Sequence, residues 1–398
     1  MKANTKLNIE YSVLLGLFWT ANGIAFNFAA VFLQYRGYTN YALGLILAAA
    51  NIIGFFLQPI IAGYMDKRNK KPLLAGILII TVIGMVGAAV SSVTDGSGLV
   101  QSMAYVTMLV VMSLLQPLSN SASTYLGTWG YDIRFSRSRS IGSLGLALGM
   151  FAVGILCERI SPVSVSVSYG VLLLGVALLS ILLLRQDKTM RAVPPHVFDN
   201  KDKAANSLGV FIKENKRFCI YLIGVAFLLL SHALSGNFFI EYVKPLGGDS
   251  KDMGNILCFM SLTEIPTMLF FDRLTKKIRC STLLIISAFM FALKAFAYWF
   301  ASSVPMLYVA SALQSMSYAL IIPASVRYVE LIIKKRDSVK GQSFTTAMFT
   351  LGCVLASYFG GLMLDSIGPK PTLLVAIFTA VVGVAFVIPG VQKTEYTK

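Results

Sequence analysis

Twelve membrane-crossing helices in two six-helix bundles, forming an all-α integral membrane protein, is the architecture the sequence predicts. Three observations lead there. Of the 398 residues, 56% are hydrophobic and only 13% are charged, against ~25% charged in a typical soluble domain. The charges leave long stretches untouched, as in "YSVLLGLFWTANGIAFNFAAVFLQ" from Tyr11 to Gln34. A run of ~18 or more apolar residues spans the ~30 Å hydrocarbon layer as a helix. Finally, lysine and arginine concentrate in alternate loops, the pattern of a chain that weaves through a bilayer.

The first span, 11–34, follows a lysine-bearing start. It is too long for the apolar region of a signal peptide and lacks a small-residue cleavage site, so it reads as a permanent span. Spans 41–65 and 73–93 flank the basic turn "YMDKRNKKPLL". Span 100–130 contains Pro117, and span 138–157 begins in "RFSRSRS" and carries Gly142, Gly145 and Gly149, small residues that permit close helix contact. Span 165–185 closes the first half. The polar segment 186–217 reads as a cytoplasmic linker, with room for an amphipathic stretch on the membrane surface. The second half repeats the scheme with spans 218–243, 252–272, 281–301, 305–332, 342–364 and 371–390. The expected division is therefore an N-terminal bundle (1–185), a linker (186–217) and a C-terminal bundle (218–398).

An even number of spans puts both termini on one side. Of the 34 Lys and Arg residues, only Arg36, Arg159, Lys244, Lys251 and Lys370 fall in the opposite loops, and Lys294 falls within a span. Basic residues favour the cytoplasmic face, so both termini are expected there, in a multi-pass protein of the cell inner (plasma) membrane. The net charge of +16 is distributed over those loops and does not indicate nucleic-acid binding. The five cysteines are odd in number and scattered, as expected of small apolar core residues and not of disulfides or metal ligands. No metal or cofactor is expected.

The halves share an internal repeat. Asp66-Lys67-x-x-Lys70-Lys71 follows the second span and Asp272-Arg273-x-x-Lys276-Lys277 follows the eighth; the same offset relates Pro117 to Pro323 and Gln58 to Glu264. Duplication of a six-helix unit places two bundles about an axis along the membrane normal, with a substrate site between them near the midplane. The recurring acid at fixed spacing makes Asp66, Lys67, Asp272 and Arg273 a candidate conformational latch at helix ends. Simple decoration of the basic side is the other reading.

With these residues in view, the chain resembles the major facilitator superfamily of secondary transporters. Its "DKRNKK" turn departs from the usual pattern, since Ala62 and Asn69 stand where glycines are expected. Within that superfamily it is similar to the lactose permease and phenylpropionate permease branch: "FFLQPIIAGYMDK" resembles the end of the second helix there, and "FSRSRSIGSLG" the start of the fifth. The resemblance implies the major facilitator fold, alternating access and a small-molecule substrate.

Charge inside the spans identifies the candidate site. Glu264 is the one acid set well inside a span, and Lys294, in "SAFMFALKAFAYWFA", is the one base as deep. A lone ionised group at a helix centre costs ~2.5–3.5 kcal/mol on insertion scales, so two on successive spans are expected to compensate each other. At ~1.5 Å rise per residue their depths differ by ~7 Å, within reach of a direct or water-bridged pair. A fixed structural ion pair is the alternative to a cavity role. The resemblance implies more: Glu264 and Lys294 match a helix-eight glutamate that binds sugar hydroxyls and a helix-nine base beside it. The branch's helix-ten histidine and proton-carrying glutamate fall at Gln314 and Ser317, its helix-four acid at Gly127 and its stacking tryptophan at Leu146. Its helix-five arginine is kept as Arg139, which equally fits a plain helix-end arginine. Galactoside specificity is thus not implied, and Glu264 becomes the leading candidate for proton coupling.

Neutral groups complete the inventory. Asn22, Asn27, Asn237 and Gln314 join Glu264, Lys294 and Arg139 as candidate substrate-binding residues, with Asn51, Gln58, Gln116 and Asn120 nearby in kind. Amides in spans bind substrate or bond a neighbouring helix. Their excess over charges favours a neutral polyhydroxylated substrate. His232, in "LLLSHALSGNFF", reads more readily as a helix-packing histidine than as a ligand or titrating group. No zinc-protease, phosphate-loop or nucleophile-elbow motif occurs, so the chain is not expected to be an enzyme. The expected function is proton-coupled import of a small sugar or oligosaccharide, by a chain whose two bundles suffice as a monomer in membrane lipid. Uptake of an aromatic or other organic acid, drug efflux and ligand sensing are the competing readings.

Overall fold

The structure is a computed structural model and describes residues 2–67, 73–127, 135–190, 208–334 and 337–394. Among these residues there are helices and no strands. In chain order they are α1 (Lys2–Asn27), α2 (Ala29–Tyr35), α3 (Asn40–Lys67), α4 (Leu73–Val93), α5 (Leu99–Gly127), α6 (Phe135–Arg159) and α7 (Ser164–Met190). The short α8 (Leu208–Glu214) precedes α9 (Lys216–Gly236), α10 (Ile240–Val243), α11 (Ser250–Lys277) and α12 (Cys280–Phe300). Last come α13 (Val304–Ala312), α14 (Tyr318–Ile332), α15 (Ser338–Ile367) and α16 (Pro369–Gly390). Among the described residues, twelve segments are long and apolar enough to cross a membrane, one for each span expected from the sequence. The chain divides into two compact units, Met1–Phe198 with Ser250–Ser261 and Asp199–Asp249 with Leu262–Lys398.

In the first unit α1 lies against α5, α6 and α7, and α4 against α5 and α7. The α1–α6 approach is close because α6 presents glycine: a Cβ on Gly145 would stand 2.8 Å from Thr20 Oγ1 and 3.2 Å from Gly16 O. Buried tyrosines then pin the helices through backbone carbonyls. Tyr105 donates to Ala25 O at 2.8 Å and Tyr169 to Met108 O at 2.9 Å. Arg36 is buried at the end of α4, where it donates to Ser92 O at 2.9 Å and to Asp95. Cations at a helix C-terminus complement its unpaired carbonyls. On its outer side α4 exposes Ile79, Val82, Ile83 and Val86, an apolar stripe at helical spacing that suits a lipid neighbour.

In the second unit α9 packs on α15 and α16, and α12 on α14 and α16. Phe218, Tyr221, Val225, Leu228, Phe291 and Tyr328 are among the residues of its main core, and Tyr221 shares a hydroxyl hydrogen bond of 2.7 Å with Ser325.

Three spans that read as continuous in the sequence are interrupted. The first bends at Phe28, although hydrogen bonds from Phe28 N–H to Ile24 O and Phe32 N–H to Phe28 O carry the ladder through. The seventh tightens after Gly236, where Tyr242 bridges back by donating to Leu234 O at 3.0 Å. The tenth passes through a 3₁₀ turn, Leu313–Ser315, before α14 begins. There Ser287 of α12 donates to Ser317 O at 2.8 Å, satisfying a carbonyl beside the irregularity.

Candidate functional site

Four side chains from four segments of the second unit meet in one chain of hydrogen bonds. His232 comes from α9, Lys294 from α12, Gln314 from the 3₁₀ turn and Glu264 from α11. Lys294 Nζ lies 3.0 Å from His232 Nδ1 and donates to Gln314 Oε1 at 2.6 Å; Gln314 Nε2 donates to Glu264 Oε1 at 2.9 Å. The ends of the chain differ from its middle. Lys294 and Gln314 are each 2% exposed, whereas Glu264 and His232 are half-buried.

The chemistry of each group dictates this order. An ammonium offers donors only and a carboxylate acceptors only, so an amide between them must turn its oxygen to Lys294 and its nitrogen to Glu264. Gln314 therefore has one productive orientation. A buried ammonium is costly unless paired and hydrogen-bonded; here it has two acceptors, with a carboxylate one amide away. Aromatic rings close the surroundings. The His232 ring stacks on Tyr318 with centroids 4.6 Å apart and meets Phe291 edge-on at 5.9 Å. Lys294 Nζ is 5.7 Å from the Phe291 centroid and 5.9 Å from that of Tyr298, at the outer limit of cation–π attraction.

The sequence expectation of a direct or water-bridged Glu264–Lys294 pair is modified by these contacts: an amide side chain links the two. The sequence puts Gln314 among cavity amides but not between the charges, and for His232 it favours packing over a ligand or titrating role without excluding the latter. Tyr318 was missed, although it follows Gln314 by about one helical turn. A cavity of ≈ 300 Å³ is lined by Thr267, one turn along α11 from Glu264, by Ser315, and by Arg273 and Lys277 further along, and by none of the four linked side chains.

The other expected residues lie elsewhere. Arg139 sits over the Trp19 ring, 3.8 Å from its centroid, and donates to Ser143 Oγ at 3.1 Å; both belong to the first unit. Trp19 Nε1 is buried without a hydrogen-bond partner among the described residues. Asn27 turns its amide back onto Gly23 O of its own helix at 2.9 Å, while Asn22 is half-buried on the same helix. Asn237 donates to Ser357 Oγ of α15 at 2.9 Å, which makes it a helix-to-helix tie. Of the expected latch, Asp272 and Arg273 are exposed on α11, with Arg273 5.4 Å from the Phe270 ring. Asp66 and Lys67 end α3, and their side chains lie outside the described residues. Gln58, the repeat counterpart of Glu264, donates to Ser113 O of α5 at 2.9 Å. So the second span reaches the fourth as the eighth reaches the tenth. Among the described residues, no group of three or more His, Cys, Asp or Glu could hold a metal ion.

Residues 8–375 match the MFS_1 like family. The chain belongs to that family. Among relatives of this MFS_1 like protein, the maltose permease of Geobacillus stearothermophilus is 26% identical over 363 residues, 88% of this chain and 86% of the permease. The uncharacterized transporter YwbF of Bacillus subtilis (strain 168) is 26% identical over 361 residues, covering 89% and 86%. Solved structures share the fold: the nucleoside transporter NupG superposes with a TM-score of 0.76 at 15% identity, over 96% of this chain and 98% of that one. A bacterial homolog of the human lysosomal transporter Spinster gives 0.66 at 13% identity, over 98% and 95%. The MFS_1 like protein is thus a multi-pass membrane transporter for a small molecule, with the all-helical major facilitator fold, and not an enzyme.

Proposed function

We propose that this transporter imports a small sugar or oligosaccharide together with protons, by alternating access of an N-terminal bundle (1–185) and a C-terminal bundle (218–398) joined by a cytoplasmic linker (186–217). The observation that carries the reading is the half-buried carboxylate of Glu264, held by Gln314 and backed by a buried ammonium. A carboxylate accepts several hydroxyl hydrogen bonds, which suits a polyhydroxylated ligand. Because it is a partly accessible acid, it also serves as the proton carrier. The relationship to a maltose permease supports the substrate class. Lys294 and Gln314 complete the site, and Arg139, Asn22, Asn27 and Asn237 are the remaining candidate substrate-binding residues. Asp66, Lys67, Asp272 and Arg273 act as the latch between conformations. The protein works as a monomer in the cell inner membrane, with both termini in the cytoplasm.

The test is proton movement in proteoliposomes on adding mono- and disaccharides, with wild type beside Glu264→Gln. External alkalinisation triggered by a sugar, lost in the variant while sugar counterflow persists, supports symport with Glu264 as carrier. Accumulation of an aromatic acid or a nucleoside without response to any sugar overturns the sugar assignment. Unchanged proton coupling in Glu264→Gln removes Glu264 from the coupling role.

A further inference from the structure

We propose that His232 is a substrate-binding residue that donates a hydrogen bond from Nε2–H to a sugar oxygen, an inference that rests on the sugar-uptake reading above. The argument begins at the other ring nitrogen. Lys294 Nζ stands 3.0 Å from His232 Nδ1, and an ammonium has no lone pair to offer, so Nδ1 accepts. A neutral imidazole that accepts at Nδ1 carries its proton on Nε2. Among the described residues no group accepts from that N–H, and Nε2 is not among the buried unpaired polar atoms. It therefore opens onto accessible space. An unsatisfied N–H facing lipid costs several kcal/mol, so this one faces water in the empty transporter and can face a ligand oxygen in the loaded one.

The donor is also fixed in direction. Tyr318 lies against the ring at 4.6 Å and Phe291 meets it at 5.9 Å, while Lys294 holds Nδ1. A donor locked before the ligand arrives loses little freedom on binding. The hydrogen-bond chain thus presents an acceptor at its Glu264 end and a donor at its His232 end, joined through sealed Gln314 and Lys294. Sugar hydroxyls both donate and accept, so one polyol can serve both ends. A ligand with neither O–H nor N–H groups would bring no donor to the carboxylate.

The variants His232→Asn and His232→Gln separate the two ring nitrogens. Asparagine keeps an acceptor near the Nδ1 position but puts nothing at Nε2; glutamine places an amide N–H near Nε2. Uptake is measured for the transported sugar and for each of its monodeoxy analogues. The expected result is a ~3- to 10-fold higher KM in His232→Asn, the worth of one neutral hydrogen bond, with Vmax little changed and recovery in His232→Gln. One deoxy analogue that binds poorly to wild type should show no added penalty in His232→Asn. A wild-type KM in His232→Asn, with every deoxy penalty intact, overturns the proposal while leaving sugar uptake standing. Wild type that transports none of the sugars overturns the sugar reading first, before any variant is compared. If His232→Asn does not fold, His232→Thr supports the same deoxy-sugar comparison.

Discussion

Replacing Gln314 by leucine removes both links between the buried ammonium and the carboxylate at nearly constant volume. The bonds lost are 2.6 Å and 2.9 Å long and each involves a charged partner; such bonds contribute ~1.5–3 kcal/mol apiece. Burying the leucine side chain returns ~1.5–3 kcal/mol, leaving a net loss of roughly 1.5–3 kcal/mol. The repeat position provides an internal reference. Gln58→Leu gives up a single neutral bond of 2.9 Å to Ser113 O, worth ~0.5–1.5 kcal/mol before any gain from the leucine. Thermal unfolding in detergent, followed with a thiol-reactive dye, reads both, since Cys157 and Cys280 are free and buried. Gln314→Leu should melt clearly below wild type and Gln58→Leu close to it. Equal shifts, or a Gln314→Leu protein as stable as wild type, would refute the view that this amide compensates the buried charges.

Other outcomes follow from the same contacts. Lys294→Leu should destabilise on its own, and adding Glu264→Gln should restore part of the loss, with a coupling of ~0.5–3 kcal/mol; strictly additive melting shifts would show that the two charges are not linked. Gly224→Val should abolish monodisperse protein, because a Cβ there meets Gly383 O and Val387 N at 2.8 Å each, whereas Gly236→Ala, with nothing within 4 Å, should purify normally. Trp19→Leu should lower stability by ~0.5–2 kcal/mol by removing the ring beneath Arg139, and a wild-type melting curve would show that the contact is idle. Asp272→Asn should reduce Vmax with KM retained if the helix-end cluster times the conformational change; a pure KM effect would reject the latch.

Much of the fold was legible because membrane spans announce themselves by length: uninterrupted apolar runs and the loop positions of Lys and Arg need no tertiary information. The interruptions at Phe28, after Gly236 and at Leu313–Ser315 were not legible. Polar residues such as Asn237 and Gln314 mark two of them, but Asn51 sits in an unbroken helix, and what stabilises the interruptions is distant, as with Ser287 on Ser317 O. The site divides in the same way. Glu264 and Lys294 stood out because a charge in hydrocarbon demands compensation. Depth along a helix, estimated from rise per residue, says nothing about which neighbour fills the gap sideways, so the place of Gln314 between them was hidden. A single histidine in an apolar run carries no sign of its partner, and only the fold brings Lys294 to Nδ1 of His232.

The order of these residues along the chain bears on how the protein is made. Glu264 leaves the ribosome 50 residues ahead of Gln314, and Gln314 in turn follows Lys294 by 20. When α11 first emerges from the ribosome, the amide and the ammonium that later accompany its carboxylate have not yet followed it out. An unaccompanied acid at that depth opposes insertion by ~2.5–3.5 kcal/mol. Spans eight to ten therefore enter the bilayer best as a group held together at the insertion machinery, and a chain truncated after α11 would be retained there or degraded.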